Sequence, residues 1–197
     1  LVATHPQQDH LGGLSYLVKK FDVGEVWTNG TRRDTLIYQK FSQALKQKGL
    51  KEREMLRNEE ALEIGGCRIW ILNPDQAADR EERSDYNSKM DNNRSIVLRL
   101  QEGDDAFLFT GDIETNAERM LATSEGEIRS KVLKVPHHGS RGALDEEFLS
   151  RIRPEIAIVS VGAHNSYGHP APEALETYRR LGVELYRTDK EGAILVS

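Results

Sequence analysis

The stretch Thr4-His5-Pro6-Gln7-Gln8-Asp9-His10-Leu11-Gly12-Gly13 places two imidazoles and a carboxylate in one short loop. The residues Leu1 to Thr4 indicate the end of a strand, and Gly12-Gly13 opens a helix with an apolar face. A loop of this kind can direct ligands in more than one direction. The stretch therefore favours a metal site in an α/β protein. The alternative is that Asp9 caps the helix and His5 is a surface residue.

The remaining histidines lie in two further motifs. All six histidines of the chain fall in the first stretch, in His137-His138-Gly139-Ser140 or in His164-Asn165-Ser166-Tyr167-Gly168-His169. Structural histidines are not expected to cluster in this way, whereas imidazoles and carboxylates from several loops of one domain assemble metal sites. The pattern predicts a metal-dependent hydrolase.

Composition limits the alternatives. With 197 residues, 38% of them hydrophobic, the chain is expected to form a single domain, residues 1–197. Its apolar runs are far shorter than the roughly 20 residues of a membrane-spanning helix. The single cysteine, Cys67, excludes an internal disulfide framework and a cysteine-rich zinc site. A net charge of −5 argues against binding nucleic acid by bulk electrostatics, although bound cations would change that balance locally.

Strand and helix patterns alternate along the chain, which favours a layered α/β domain in which each motif follows a strand. Strands are predicted at Glu25–Thr28, Cys67–Leu72, Ser95–Gln101, Asp105–Thr110, Val132–Val135, Ile156–Val161, Glu184–Arg187 and Ala193–Val196. Helices are predicted from an Asp34 cap to Lys48, at Thr115–Ala122, at Asp145–Ile152 and from Pro172 to Leu181. Residues 73–91, which are largely polar and lack periodicity, are interpreted as a mobile loop.

Two motifs carry further candidate site residues. Phe109-Thr110-Gly111-Asp112-Ile113 places a lone carboxylate directly after an apolar strand, where an aspartate can bridge two cations. The alternative is that Asp112 caps the next helix. Tyr167-Gly168-His169-Pro170 follows the strand Ile156–Val161 and would face the same edge, or it could simply end a loop before the next helix.

Five motifs occur in order: Thr-His-x-x-x-Asp-His-x-Gly-Gly, Asn-Asn-x-Ser-x-Val-Leu, Phe-Thr-Gly-Asp-Ile, Leu-Lys-Val-Pro-His-His-Gly-Ser and Tyr-Gly-His-Pro. With them the chain resembles the metallo-β-lactamase-fold domain of ComEC-type DNA-uptake proteins and their stand-alone relatives. The resemblance implies an α/β (α+β) fold, an αββα sandwich with a centre of one or two divalent metal ions at one edge. It also implies hydrolysis, most readily of phosphodiester bonds.

The resemblance also implies roles for individual residues. The metal ligands would be His5, Asp9, His10, Asp112 and His137. Asp9 or Asp112 would hold the attacking hydroxide, while His138 or His169 would protonate the leaving oxygen or hold the scissile phosphate. The division of roles among His137, His138 and His169 stays open. Substrate contacts would come from Asn92, Asn93, Ser95 and Ser140.

The chain departs from the family pattern in two places. Gln7 stands where the superfamily has a second histidine and where competence-type members often have aspartate. A neutral amide is a weak ligand, which predicts weaker or single-metal occupancy and favours manganese or magnesium, with zinc still possible. Relatives also have several strands before the first motif, so the segment is expected to be a fragment that lacks those N-terminal strands.

The expected function is metal-dependent phosphodiester hydrolysis, with DNA as substrate in a competence-type uptake system. The family implies a location on the extracytoplasmic side of the bacterial cytoplasmic membrane, or secretion, and possible fusion to a membrane channel domain. Two alternatives stay open. The domain could be a non-catalytic DNA-binding module with a degraded metal site, which Gln7 favours, or an esterase or lactonase acting on small molecules.

Overall fold

A computed structural model describes residues 1–58, 60–75 and 88–196. Two β-sheets lie face to face, with helices on the outer face of each, so the layers run helix, sheet, sheet, helix. In these residues the strands are β1 (Val2–Ala3), β2 (Val26–Thr28), β3 (Glu52–Glu54), β4 (Leu62–Ile64), β5 (Cys67–Asn73), β6 (Val97–Glu102), β7 (Asp105–Phe109), β8 (Val132–Lys134), β9 (Ile156–Val159) and β10 (Glu184–Arg187).

The smaller sheet has the order β1-β2-β3, and both pairings are parallel. Its outer face packs on three helices, α1 (Gln8–Leu11), α2 (Leu14–Lys20) and α3 (Leu36–Lys48). The core between them contains Ala3, Leu11, Val18, Val26, Phe41 and Leu45. In α3, Phe41 and Leu45 are four residues apart and therefore share the buried face.

The larger sheet has the order β10-β9-β8-β7-β6-β5-β4. Pairings are parallel from β10 to β7 and antiparallel from β7 to β4. Trp27, Ile71, Ile96 and Leu98 lie in the core between the two sheets. The carboxyl ends of β7, β8 and β9 meet at one edge of the sheet, so the residues that follow these strands lie close together.

Helices cover the outer face of the larger sheet. After α4 (Ser88–Asn93) they are α5 (Thr115–Thr123), α6 (Glu146–Ile152) and α7 (Pro172–Arg180). The core that joins them to the sheet includes Leu108, Leu121, Leu133, Phe148, Ile152 and Tyr178. The short α8 (Thr188–Glu191) follows β10 and has no buried residue. Within the described ranges, no helix has the length and apolarity needed to cross a bilayer.

Most predicted elements are present, but two predictions were wrong. Thr35, rather than Asp34, caps α3, because its side chain accepts a hydrogen bond from the Tyr38 amide. Residues 193–196 form no strand: α8 turns the chain away from the edge strand β10 and leaves Leu195 93% exposed. At the ends of the predicted loop 73–91, Asn73 is the last residue of β5 and α4 begins at Ser88, and the mobility of the loop stays a prediction. Residues 76–87 of that loop lie outside the described residues.

Candidate metal centre

Four side chains from three segments of the chain converge at the edge formed by the strand ends. One ligand atom from each of Asp9, His10, Asp112 and His138 lies within 4.8 Å of the others. Asp9 and His10 come from α1, Asp112 follows β7, and His138 follows β8. Three distant segments of sequence thus supply one group that could hold a divalent metal ion. These four residues form the Asp112 cluster.

Asp112 lies at the centre of the cluster and is only 1% exposed. Its Oδ2 is 3.0 Å from Nε2 of His10 and 3.1 Å from Nε2 of His138. Burial alone would raise the pKa of this carboxyl, but its contacts with the two histidines and the charge of Lys134 hold that pKa well below its usual range. Asp112 is therefore an anion at the bottom of the site.

Gly111 makes this placement of Asp112 possible. It has a φ of +56°, and a Cβ on it would lie 2.6 Å from Cβ of Ser95. A left-handed backbone and the close approach of Ser95 both require glycine at this position. The amide of Asp112 then donates to Oγ of Ser95 at 3.0 Å.

His138 is held by both its backbone and its ring. His137 and His138 adopt left-handed conformations, with φ of 43° and 54°, which cost non-glycine residues on the order of 1–3 kcal/mol each. Nδ1 of His138 lies 2.6 Å from the carbonyl oxygen of Ser160. A carbonyl only accepts, so Nδ1 is the donor and Nε2 points at the carboxylates.

The Nε2 atom of His138 lies 3.1 Å from Oδ2 of Asp112 and 3.6 Å from Oδ2 of Asp9, yet it has no partner with hydrogen-bond geometry. Burial lowers the pKa of His138, but the two carboxylates outweigh it and raise that pKa to about 9. This position therefore attracts a positive charge, either a proton or a metal ion. A backbone carbonyl on the other ring nitrogen is the usual support of a histidine that ligates a metal.

His5 lies behind the cluster and is almost fully buried. Its Nδ1 is 3.1 Å from both Oγ1 of Thr4 and Oγ of Ser95, while its buried Nε2 has no hydrogen-bond partner. Burial, with a smaller contribution from His10, lowers the pKa of His5 to about 3. His5 is therefore neutral and its Nε2 can act as a ligand.

Gln7 belongs to a chain of polar side chains beside the cluster. Its Nε2 donates to Oδ1 of Asn92, and Nδ2 of Asn92 donates to Oε1 of Glu114 at 3.0 Å. The same Oε1 is 3.4 Å from Nδ1 of His137, a buried atom without a hydrogen-bond partner. His137 thus faces Glu114, and the four residues of the Asp112 cluster do not include it.

Lys134 supplies a positive charge on the other side of Asp112. Its Nζ donates to the carbonyl of Gly111 at 2.6 Å and lies 3.4 Å from Oδ1 of Asp112. Burial lowers the pKa of Lys134, while the Asp112 carboxylate acts in the opposite direction. Of the two carboxylate oxygens of Asp112, the ammonium group contacts only Oδ1, so Oδ2 faces the two histidines.

Three predicted substrate residues are engaged within the fold. Ser95 is fully buried and contacts His5 and the Asp112 amide. Oδ1 of Asn93 accepts hydrogen bonds from the amides of Glu114 and Ala117 at the start of α5. Asn92 lies in the Gln7 chain. These contacts fit supporting positions, and the substrate roles stay predictions.

Ser140 and His169 lie on the outer side of the site. Oγ of Ser140 accepts a hydrogen bond from the amide of Gly142, while the ring of His169 is half-buried, 5.7 Å from the ring of His137. Burial and the neighbouring His137 lower the pKa of His169. His164 is exposed. The predicted roles of Ser140 and His169 stay open.

Sequence reasoning from motifs missed Glu114 and the support that Thr4 gives to His5. Glu114 is the second residue after Asp112 and reads in sequence as an ordinary helix start. Its contact with Asn92 depends on the pairing of distant segments. The Thr4 hydroxyl precedes the first histidine and could have been noted as a candidate partner for it.

The donor set fits a divalent cation. Two carboxylates and two imidazoles suit a borderline or hard divalent ion, and the two negative charges balance it. Among the described residues, the buried nitrogens without hydrogen-bond partners include Nε2 of His5 and Nε2 of His138. Buried polar atoms without partners are rare in folded proteins, and a cation bound by the four residues of the cluster explains the one on His138.

The chain is similar to known proteins over nearly its whole length. Residues 1–164 match the family model described as Metallo-beta-lactamase superfamily. ComE operon protein 3 of Bacillus subtilis (strain 168) is 33% identical over 194 residues, which cover 98% of this chain and 24% of that protein. Competence protein ComA of Neisseria gonorrhoeae is 40% identical over 105 residues, 53% of this chain and 15% of that protein. The predicted resemblance to ComEC-type competence proteins is thereby confirmed.

The chain thus spans about a quarter or less of the length of these relatives. Among solved structures, the metallo-beta-lactamase fold protein YhfI from Bacillus subtilis superposes with a TM-score of 0.52 at 12% identity. The superposition covers 94% of this chain and 72% of YhfI. It concerns the fold alone, and together with the family match it confirms the predicted fold class. The chain belongs to the metallo-β-lactamase superfamily, a family of metal-dependent hydrolases.

Proposed function

We propose that the chain is a metal-dependent phosphodiesterase that cleaves DNA and that it uses one divalent cation held by the Asp112 cluster. The observation that carries the proposal is the contact of Asp112 Oδ2 with Nε2 of both His10 and His138. Two imidazoles and a buried carboxylate that converge on one point are arranged as ligands of a metal. The names of the relatives, which include a competence protein, support DNA as substrate.

A divalent cation bound there would supply Lewis acidity, which polarises a phosphoryl oxygen and lowers the pKa of water. The remaining chemistry depends on the side chains. Asp9 has a side chain that is 56% exposed, so its carboxylate can take a proton from the attacking water. Asp112 is buried and stays ionised, which suits it to holding the cation.

His169 is the side chain best placed to give a proton to the leaving oxygen. It is half-buried on the solvent side of His137, while His138 has its Nδ1 committed to the carbonyl of Ser160. Lys134 keeps Asp112 oriented through its contacts with Gly111 and with Oδ1. The reaction would leave a phosphate monoester and a free hydroxyl.

The presence of Gln7 favours a site that holds one cation rather than two. The residues next to the Asp112 cluster are His5, whose ring is 4.1 Å from that of His10, and the Gln7–Asn92–Glu114 chain. The amide nitrogen of Gln7 donates a hydrogen bond to Asn92 and presents no negative charge there. A second divalent cation would therefore find the imidazole of His5 and the neutral amide of Gln7, while the Glu114 carboxylate already accepts a hydrogen bond from Asn92. A strong site needs further anionic or imidazole ligands.

The relatives also support a cellular setting. We propose that the domain is part of a longer protein with a membrane channel and that it meets DNA on the extracytoplasmic side of the bacterial membrane, or in a secreted relative of that protein. The support is that this chain spans 24% of ComE operon protein 3. Labelling of the domain in intact cells by a protease or thiol reagent that does not cross the membrane would test the location.

The test of function uses the full-length protein and four substrates: end-labelled single-stranded DNA, the matching duplex, a carboxyl ester and a lactone. Each is assayed with manganese, magnesium, zinc or chelator, and Asp112→Asn serves as the matched control. We expect cleavage of DNA with manganese, and none with chelator or in Asp112→Asn.

Two outcomes would contradict the proposal. If DNA binds in a salt-sensitive way but is not cleaved with any of the metals, the domain is a non-catalytic DNA-binding module, the alternative that Gln7 favours. Turnover of the ester or lactone without cleavage of DNA would assign a small-molecule hydrolase.

A further inference from the structure

Tyr167 presents an aromatic ring to solvent beside the metal centre. Its side chain is 80% exposed, and its ring stacks on the ring of His169, with centroids 5.9 Å apart and planes inclined by 16°. An exposed aromatic residue is by itself ordinary. The parallel stack is a more specific feature, because one face of the tyrosine is supported while the other is open.

The loop that carries the pair is braced by Asn165. Its Nδ2 donates to the carbonyl of His169 at 2.8 Å, and its Oδ1 accepts from the amide of His169 at 2.9 Å. A single side chain thus holds both polar groups of the His169 backbone. The backbone that carries the His169 ring is therefore fixed before any ligand arrives, which reduces the entropy lost on binding.

A row of rings leads from this pair to the Asp112 cluster. The ring of His169 is 5.7 Å from that of His137, and the ring of His137 is 6.2 Å from that of His138. His138 is the residue whose Nε2 faces Asp112. A group that stacks on the open face of Tyr167 would therefore be held at the solvent end of the site.

We propose that Tyr167, supported by His169, is a stacking platform for an unpaired base of single-stranded DNA whose backbone lies at the metal centre. This inference rests on the proposed function and adds the form of the substrate. A base inside a duplex has both faces covered, so the platform selects single strands or frayed ends. With a net charge of −5, the chain gains little affinity from bulk attraction to phosphates, and stacking supplies what charge does not.

The test is a double-mutant cycle in DNA-binding affinity, in which the tyrosine ring and the base are removed separately and together. The probe is a short single-stranded oligonucleotide, bound in calcium so that turnover does not interfere. It carries 2-aminopurine at one position after another, because the fluorescence of this base falls when it stacks. The protein is compared as wild type, Tyr167→Phe and Tyr167→Leu. Phe21→Ala is the control, since Phe21 is another exposed aromatic residue and follows α2.

We expect quenching at one position in the wild type, in Tyr167→Phe and in Phe21→Ala. Tyr167→Leu should lose the quenching and bind about tenfold more weakly, within the roughly 5- to 150-fold that stacking of one base contributes. An abasic residue at that position should weaken binding to the wild type by a similar factor. It should have little further effect on Tyr167→Leu.

Losses that simply multiply would overturn the platform, because the base would then not lie on Tyr167. An equal loss in Tyr167→Phe and Tyr167→Leu would also overturn it, since the hydroxyl rather than the ring would make the contact. Failure of the proposed function gives a different result. If DNA binds through Tyr167 but none of the metals supports its cleavage, the platform stands and the proposed function fails. If DNA is cleaved in a metal-dependent way but the losses from Tyr167→Leu and from the abasic residue simply multiply, the proposed function stands and the platform fails.

Discussion

Nε2 of His138 lies 3.1 Å from Oδ2 of Asp112 without forming a hydrogen bond. Because Nδ1 of the same ring donates to the carbonyl of Ser160, a neutral His138 would point a lone pair at a carboxylate. Two lone pairs at this distance repel unless a positive charge lies between or beside them. A cation held by His138 and Asp112 removes this repulsion.

His138→Ala should abolish tight binding of manganese, whereas His137→Ala should leave it within about threefold of the wild type. His138 belongs to the Asp112 cluster, while His137 faces Glu114. The loss of a ligand should exceed the roughly 10- to 100-fold that is typical for the loss of a supporting residue. Isothermal titration of the two variants measures both affinities, and an equal loss in both would contradict the assignment of His138.

The adjacent histidines illustrate what the sequence could and could not predict. The motif His137-His138-Gly139-Ser140 placed a metal or acid–base site after β8, and the structure brings this motif to the Asp112 cluster. Which histidine faces the cluster depends on two consecutive left-handed backbone conformations and on the carbonyl of Ser160, contributed after β9. Neither feature can be read from residue types, so the role predicted for His137 stays a prediction.

Gln7→Asp should raise the metal content from one ion to two per chain. The change replaces an amide that donates to Asn92 with a carboxylate that lies two residues from both His5 and Asp9 in the chain. Native mass spectrometry in manganese counts the ions. Gln8→Asp, a neighbouring substitution with the same change in charge at an exposed residue of α1, is the control. Two ions in the wild type would contradict the account of Gln7.

Gly111→Ala should destabilise the protein more than Gly103→Ala does. The two glycines have almost the same φ, +56° and +57°, but only at Gly111 would the new Cβ meet another side chain, at 2.6 Å from Cβ of Ser95. Both variants incur the backbone strain, so the difference, about 1–3 kcal/mol, reports the overpacking. Urea denaturation gives both free energies of unfolding. Equal losses would show that the close approach of Ser95 is not required.

Glu118→Gln should remove a dependence of stability on pH. Burial raises the pKa of Glu118 to about 8; its contact with the Asp145 amide opposes the shift, and the charges of Asp145 and Glu114 add to it. Between pH of about 4.5 and 8 the folded protein holds a proton that the unfolded chain releases. The group's contribution is therefore complete at low pH and is lost as the pH rises, by up to about 1.4 kcal/mol per pH unit.

Glu118→Gln should match the wild type near pH 5 and exceed it in free energy of unfolding near pH 8.5, as measured by denaturation at each pH. The same substitution at Glu63, an exposed residue of β4, should leave the pH profile parallel to that of the wild type. Parallel profiles for Glu118→Gln and the wild type would show that Glu118 is ionised in the fold.

Secondary structure was predictable where apolar periodicity or a strong end signal marks an element. The helix that ends before Gly49 and the strand Glu184–Arg187 agree with the structure at those boundaries. The predictions missed β3, whose residues Glu-Arg-Glu carry no apolar signal. It forms because β2 offers a parallel neighbour, with Trp27 paired to Arg53. Pairing of that kind is a tertiary effect and overrides local propensity.

The central claim is that the Asp112 cluster binds the catalytic cation, and anomalous diffraction from crystals soaked in manganese tests it most directly. The account predicts one anomalous peak within about 2.5 Å of a ligand atom from each of Asp9, His10, Asp112 and His138. A peak confined to the space between His137 and Glu114, or none at a manganese concentration that supports cleavage, would contradict it.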